Sequence, residues 1–147
     1  MKNKKLIFSI TTMIWTAVIF AFSLQSGDIS GDLSGSVVET IISFFMPGIL
    51  DNPEQVELLH LILRKCAHFT EFMILGLLAR NAMQYIKLQF KTISTMTFCV
   101  SIAAVDETLQ LFVSGRAGRV QDVLIDSAGA LVGIVVVIIY LKRKNKK

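Results

Sequence analysis

Apolar and polar positions along this chain are sorted at the scale of whole helices. Leu6 to Leu24 carries no charged residue. At a rise of ~1.5 Å per residue its length covers about 30 Å, one hydrocarbon core. Gln25 to Gly35 is rich in Ser, Gly and Asp and reads as a loop. Over Ser36 to Leu50 the apolar residues Val37, Val38, Ile41, Ile42, Phe44, Phe45 and Ile49 recur at near-helical spacing, but the run is short and ends at Pro47-Gly48. That pattern predicts an interfacial or re-entrant helix. Asn52-Pro53-Glu54 starts another helix, with a capping Asn, Pro in the first turn and acids near the positive end of the dipole. It continues into a second apolar span, about Cys66 to Ile86; the combined length exceeds the bilayer, so its first turns project from or lie along the surface. The third span is about Thr92 to Val113, Ser114 to Gln121 is a short basic loop, and the fourth span is about Val123 to Leu141. The expected fold is an all-α membrane protein, a four-transmembrane-helix bundle with an extracytoplasmic helical loop, in one domain over residues 1–147.

Composition agrees. A chain that is 53% hydrophobic, with mean hydropathy +0.62, is too apolar for an ordinary soluble domain. The net charge of +4 comes largely from the two ends, Lys2 to Lys5 and Lys142 to Lys147. Beside apolar spans, such ends set orientation and touch anionic lipid; nucleic acid is not expected as a partner. With both termini cytoplasmic, eleven Lys and Arg fall on the inner side and only Arg64, Lys65, Arg116 and Arg119 on the outer side. All eleven Asp and Glu then lie outside or in the outer half of a span. The basic start and first span resemble a signal peptide, but the apolar run is long and Gln25-Ser26-Gly27 is a poor cleavage site, so the first span is read as uncleaved. Cys66 and Cys99 fall at different depths, which argues against a disulfide.

The chemistry gathers at one depth. Arg64, His68 and Glu71 share a face of the second span. Asp106 and Gln110 lie one turn apart near the outer end of the third, with Glu107 on a neighbouring face. Asp122 and Asp126 stack at the start of the fourth, followed by Gly129 and Gly133, a Gly-x-x-x-Gly that lets another helix approach closely. Carboxylates this close must pair with Arg116, Arg119, Lys65 or His68, bind a cation, or hold protons. His68, Glu71, Asp106 and Glu107 are the candidate catalytic groups, as acids, bases or metal ligands. Lys65, Gln110, Arg116, Arg119, Asp122 and Asp126 are the candidate substrate-binding groups. The bland alternative is a closed polar network that locks the helices together. Two arginines in an outer loop run against the orientation rule and favour an anionic guest. The chain carries no His-Glu-x-x-His zinc motif, phosphate-binding loop or Rossmann fingerprint, and its pattern names no cofactor. The inner halves of the spans show no matching polar path, which disfavours a transporter.

Arg64-Lys65-Cys66-Ala67-His68-Phe69-Thr70-Glu71-Phe72 followed by Leu75-Gly76 resembles the Lys-x-x-His-Phe-x-x-(Tyr/Phe) signature of the VanZ-like family. Asp106-Glu107-Thr108-Leu109-Gln110, then Gly115-Arg116, then Asp122 to Asp126 and Gly129, resembles its second signature, and Ser23-Leu24-Gln25-Ser26 also matches. In that family the position of Asp126 is often Asn, so the acid is a small departure. The resemblance spans essentially the whole chain. It implies a bacterial integral membrane protein of the cell envelope whose relatives raise resistance to teicoplanin, a lipid-tailed glycopeptide. The expected partners are membrane lipids and an anionic lipid-linked envelope precursor or the lipoglycopeptide itself. The resemblance brings no settled mechanism, so enzyme and binding protein both stay open.

Overall fold

The computed structural model describes residues 2–25, positions 35, 40 and 44, and residues 52–86 and 89–146. Among these it contains four helices and no strand: α1 (Lys2–Ser23), α2 (Pro53–Met83), α3 (Lys91–Gln110) and α4 (Val120–Lys144). The interfacial helix expected over Ser36 to Leu50 lies, apart from Thr40 and Phe44, outside the described residues.

The start of α2 follows its sequence signal. The Asn52 side chain accepts from the Gln55 backbone N–H at 3.4 Å, and Pro53 opens the first turn, where no N–H is needed. At 31 residues α2 is about 46 Å long, well beyond one hydrocarbon core. Two boundaries differ from expectation. The helix α3 ends at Gln110 rather than Val113, and α4 begins at Val120 rather than Val123. Both shifts come from the loop between them. Gly115 takes φ 75°, a left-handed conformation that turns the chain sharply, and a Cβ on Gly118 would strike the Glu107 carbonyl oxygen. The loop is thereby laid flat against the end of α3.

Named contacts give the topology. Phe8 stacks on Tyr85 at 6.4 Å between ring centroids, and the Trp15 indole N–H donates to the Glu71 carbonyl at 2.9 Å, so α1 and α2 run antiparallel. Positions 65, 68, 69 and 73 of α2 face 122, 126, 129 and 133 of α4, so those two helices run parallel. Cβ atoms on Gly129 and Gly133 would overlap the backbone carbonyls of Phe69 and Met73, and one on Gly76 would overlap the backbone of Ala130. The glycine repeat therefore does what its spacing predicts: it brings two backbones into direct contact.

The core is small and apolar around Ile19, Phe72, Leu75, Ala79, Cys99, Ala103 and Ala130. Around it the usual order is inverted. Leu6, Ile7, Met13, Ile14, Leu131, Val135, Val136 and Tyr140 are exposed, while Ser23, Thr95, Asp106, Glu107, Gln110 and Asp126 are buried. Asn3–Ser23 and Val120–Lys144 are long and apolar enough to cross a membrane, with only 17% and 33% of their apolar stretches buried. A soluble core helix of that hydropathy would be mostly covered. The helices α2 and α3 are long enough as well, but Glu71, Arg80 and Asn81 in the one, and the Thr and Ser positions with Asp106 and Glu107 in the other, dilute their apolar runs.

Candidate functional site

Three helix ends and one loop build a polar layer. Asp106 is 1% exposed and is held at both oxygens: Ser23 Oγ, at the end of α1, donates to Oδ1, and Gln110 Nε2 donates to Oδ2 at 3.1 Å. The same amide donates to Glu107 Oε1 at 3.1 Å. Arg64 Nη2 donates to Gln110 Oε1 at 3.0 Å, which fixes the amide with its NH2 toward the acids. The other oxygen of Glu107, Oε2, accepts from the backbone N–H of Arg119 at 2.8 Å. That residue is the N-cap of α4 and has no side-chain cap of its own, so Glu107 supplies a carboxylate at the positive end of the helix dipole.

The α2–α4 contact brings up the remaining groups. Lys65 Nζ donates to Asp122 Oδ1 at 2.7 Å. His68 Nδ1 lies 3.6 Å from Asp126 Oδ1, too long for a hydrogen bond. Asp126 is 0% exposed, and neither of its oxygens has a hydrogen-bond partner among the described residues; His68 Nδ1 has none either. One ligating atom from each of His68, Asp106, Glu107 and Asp126 lies within 4.8 Å of the others. Glu71 sits in electrostatic range of His68, Asp106, Asp126 and Arg116 without joining that group of four.

Above this layer lies a pocket of about 270 Å³, lined among others by Arg64, Lys65, His68, Arg116, Arg119 and Asp122. Arg64, Arg116 and Arg119 form no ion pair among the described residues, and Arg116 Nε is buried without a hydrogen-bond partner. Burial, and then the neighbouring Arg64, draw the Arg116 pKa below its ordinary value. A guanidinium remains cationic at neutral pH regardless. Such a pocket can receive a phosphate or carboxylate, and the layer beneath it can hold a proton or a metal ion.

Nine of the ten sequence candidates therefore fall on this layer or its pocket, and Glu71 lies within electrostatic range of it. Arg64 and Ser23 take part without being among those candidates. Arg64 shares the His68 face of α2, but nothing in its spacing ties it to Gln110. Ser23 carried the weaker signal of a hydroxyl at the outer end of an otherwise apolar span; its partner lies 83 positions away.

The profile of the VanZ/LLP1 family matches residues 8–141, nearly the whole chain. The chain belongs to this family. No curated protein and no solved structure matches it. The matched region includes every element that builds the polar layer, from the Ser23 end of α1 to the Gly129–Gly133 contact of α4.

Proposed function

We propose that this VanZ/LLP1 protein is a multi-pass membrane protein of the bacterial cell envelope that binds an anionic lipid-linked or wall-linked molecule at the outer leaflet. All four helices cross, both termini are cytoplasmic, and the polar layer with its pocket faces outward. The Lys and Arg distribution supports that orientation. The inverted surface supports the membrane setting, because exposed Leu, Ile and Val suit lipid, whereas bare charge there is expensive. One observation carries the binding reading: a pocket lined by four cationic side chains, three of them without an ion pair among the described residues. Arginine forks offer paired donors to phosphate or carboxylate. In a cell challenged with teicoplanin, sequestering or altering such a molecule would lower the drug's access to its target.

The test compares wild type with Arg116→Gln in detergent, measuring thermal stability and binding to vesicles with and without anionic envelope lipids. Guest binding requires weaker lipid binding at near-normal stability. A collapse of stability with normal binding by the residual folded protein would make Arg116 an internal counter-ion and remove the main support.

A second reading, hydrolase or transferase, is favoured by the convergence of His68 with Asp106, Glu107 and Asp126. His68→Gln keeps a hydrogen-bonding side chain but cannot carry an imidazole proton. It should abolish function at normal membrane levels if catalysis occurs, and leave function in proportion to folded protein if it does not.

A further inference from the structure

We propose that His68, Asp106, Glu107 and Asp126 bind one divalent transition-metal ion at the floor of the cationic pocket. The argument starts from Asp126. It is fully buried, both its oxygens are without hydrogen-bond partners among the described residues, and Oδ1 lies 3.6 Å from His68 Nδ1, within ion-pair distance but too far for a hydrogen bond. A buried carboxylate with no donor is costly, and a metal ion is one of the few groups that satisfies it.

The other two acids are already aimed. Ser23 and Gln110 fix Asp106; Gln110 and the Arg119 N–H fix Glu107; Arg64 fixes Gln110. These donors leave a further lone pair on each carboxylate oxygen, and they are the kind of supporting contacts that orient metal ligands. Distances fit. With metal–ligand bonds of about 2.1 Å, donors around one ion sit about 3.4 Å apart in a tetrahedron and about 4.2 Å apart when opposed. The four donors lie within 4.8 Å of one another, so side-chain shifts of about 1 Å or less close the site. The ion class follows from the donors: three carboxylates and one imidazole suit Zn2+ or Mn2+, while an imidazole is a poor ligand for Ca2+ or Mg2+. His68 also lines the pocket, which provides the way in. The ion does not depend on the pocket's anionic guest, so either idea can fail alone.

The experiment uses the full chain in detergent, carried on a tag without histidine, stripped with EDTA and titrated with ZnCl2 or MnCl2. Bound metal is read by elemental analysis and calorimetry, with MgCl2 and CaCl2 as comparators. The expected result is about one equivalent per chain and a raised Tm. Asp126→Asn and His68→Gln should each weaken binding more than Ser23→Ala, which removes only a supporting donor and should weaken it about 10–100-fold. His60→Gln, on the first turns of α2, should change nothing. Independently of any ligand variant, Mn2+ bound to the His60→Gln protein should show nitrogen hyperfine coupling from the remaining imidazole. No saturable binding of Zn2+ or Mn2+, binding unaltered in both ligand variants, or Mn2+ without nitrogen coupling would overturn the proposal.

Discussion

Replacing Gly129 with Ala tests the contact on which the site is built. The new Cβ would overlap the Phe69 carbonyl oxygen, with the Phe69 carbonyl carbon and Cα close behind. These are backbone atoms and cannot rotate away, so α2 and α4 must part by about 1 Å to restore normal contact. Overpacking of this kind costs about 1–3 kcal/mol. Alanine's better helix propensity returns up to ~1 kcal/mol. Backbone atoms that cannot yield put this contact at the upper end of that range, so the net loss is about 2 kcal/mol, a Tm lower by about 4–8 °C for a chain of this size. The same parting would stretch Lys65–Asp122 beyond 2.7 Å and His68–Asp126 beyond 3.6 Å, so metal or lipid binding should fall further than stability. Thermal unfolding followed by circular dichroism in one detergent, with Ala128→Val on the exposed face as control, gives the comparison. If Gly129→Ala is as stable as wild type or more so, the Phe69 carbonyl is not in the way and the α2–α4 crossing is wrong.

Ser23→Ala should destabilise by about 1–3 kcal/mol, because a buried Asp106 oxygen loses its donor; the effect should shrink in an Asp106→Asn background, as thermal melts of the four proteins in that cycle would show. Lys65→Gln breaks a part-exposed pair, so stability should change by less than about 1 kcal/mol while binding to anionic vesicles weakens in a sedimentation assay. In the folded protein a maleimide should modify exposed Cys66 and spare buried Cys99, both reacting after denaturation; mass spectrometry of the labelled peptides decides it. For topology, with the native cysteines replaced, an impermeant thiol reagent in intact cells should reach Asp32→Cys and not Asn145→Cys, and the reverse pattern would refute the orientation.

Much of this protein is legible in one dimension. Helix-length apolar runs, the Asn52-Pro53 start and the Gly129–Gly133 repeat depend on neighbours within a few positions, and periodicity and capping are local physics. The place of His68, Asp106 and Asp126 along their helices follows as well, because a residue can be located along a helix by counting at ~1.5 Å each. Which acid meets which partner is not legible that way. Asp106 and Glu107 are adjacent in sequence, yet one is tied to α1 through Ser23 and the other caps α4 through the Arg119 N–H. Lys65 pairs with Asp122 although the loop arginines lie nearer to it in sequence, and Asp126 is left with neither. Those choices depend on helix rotation and on how closely α2 and α4 approach, set by backbone contacts at Gly76, Gly129 and Gly133 between residues 54–60 positions apart. Local pattern determined the ingredients and their place along each helix; only packing decided that two acids would be held by donors at both oxygens and a third left without a hydrogen bond beside a histidine.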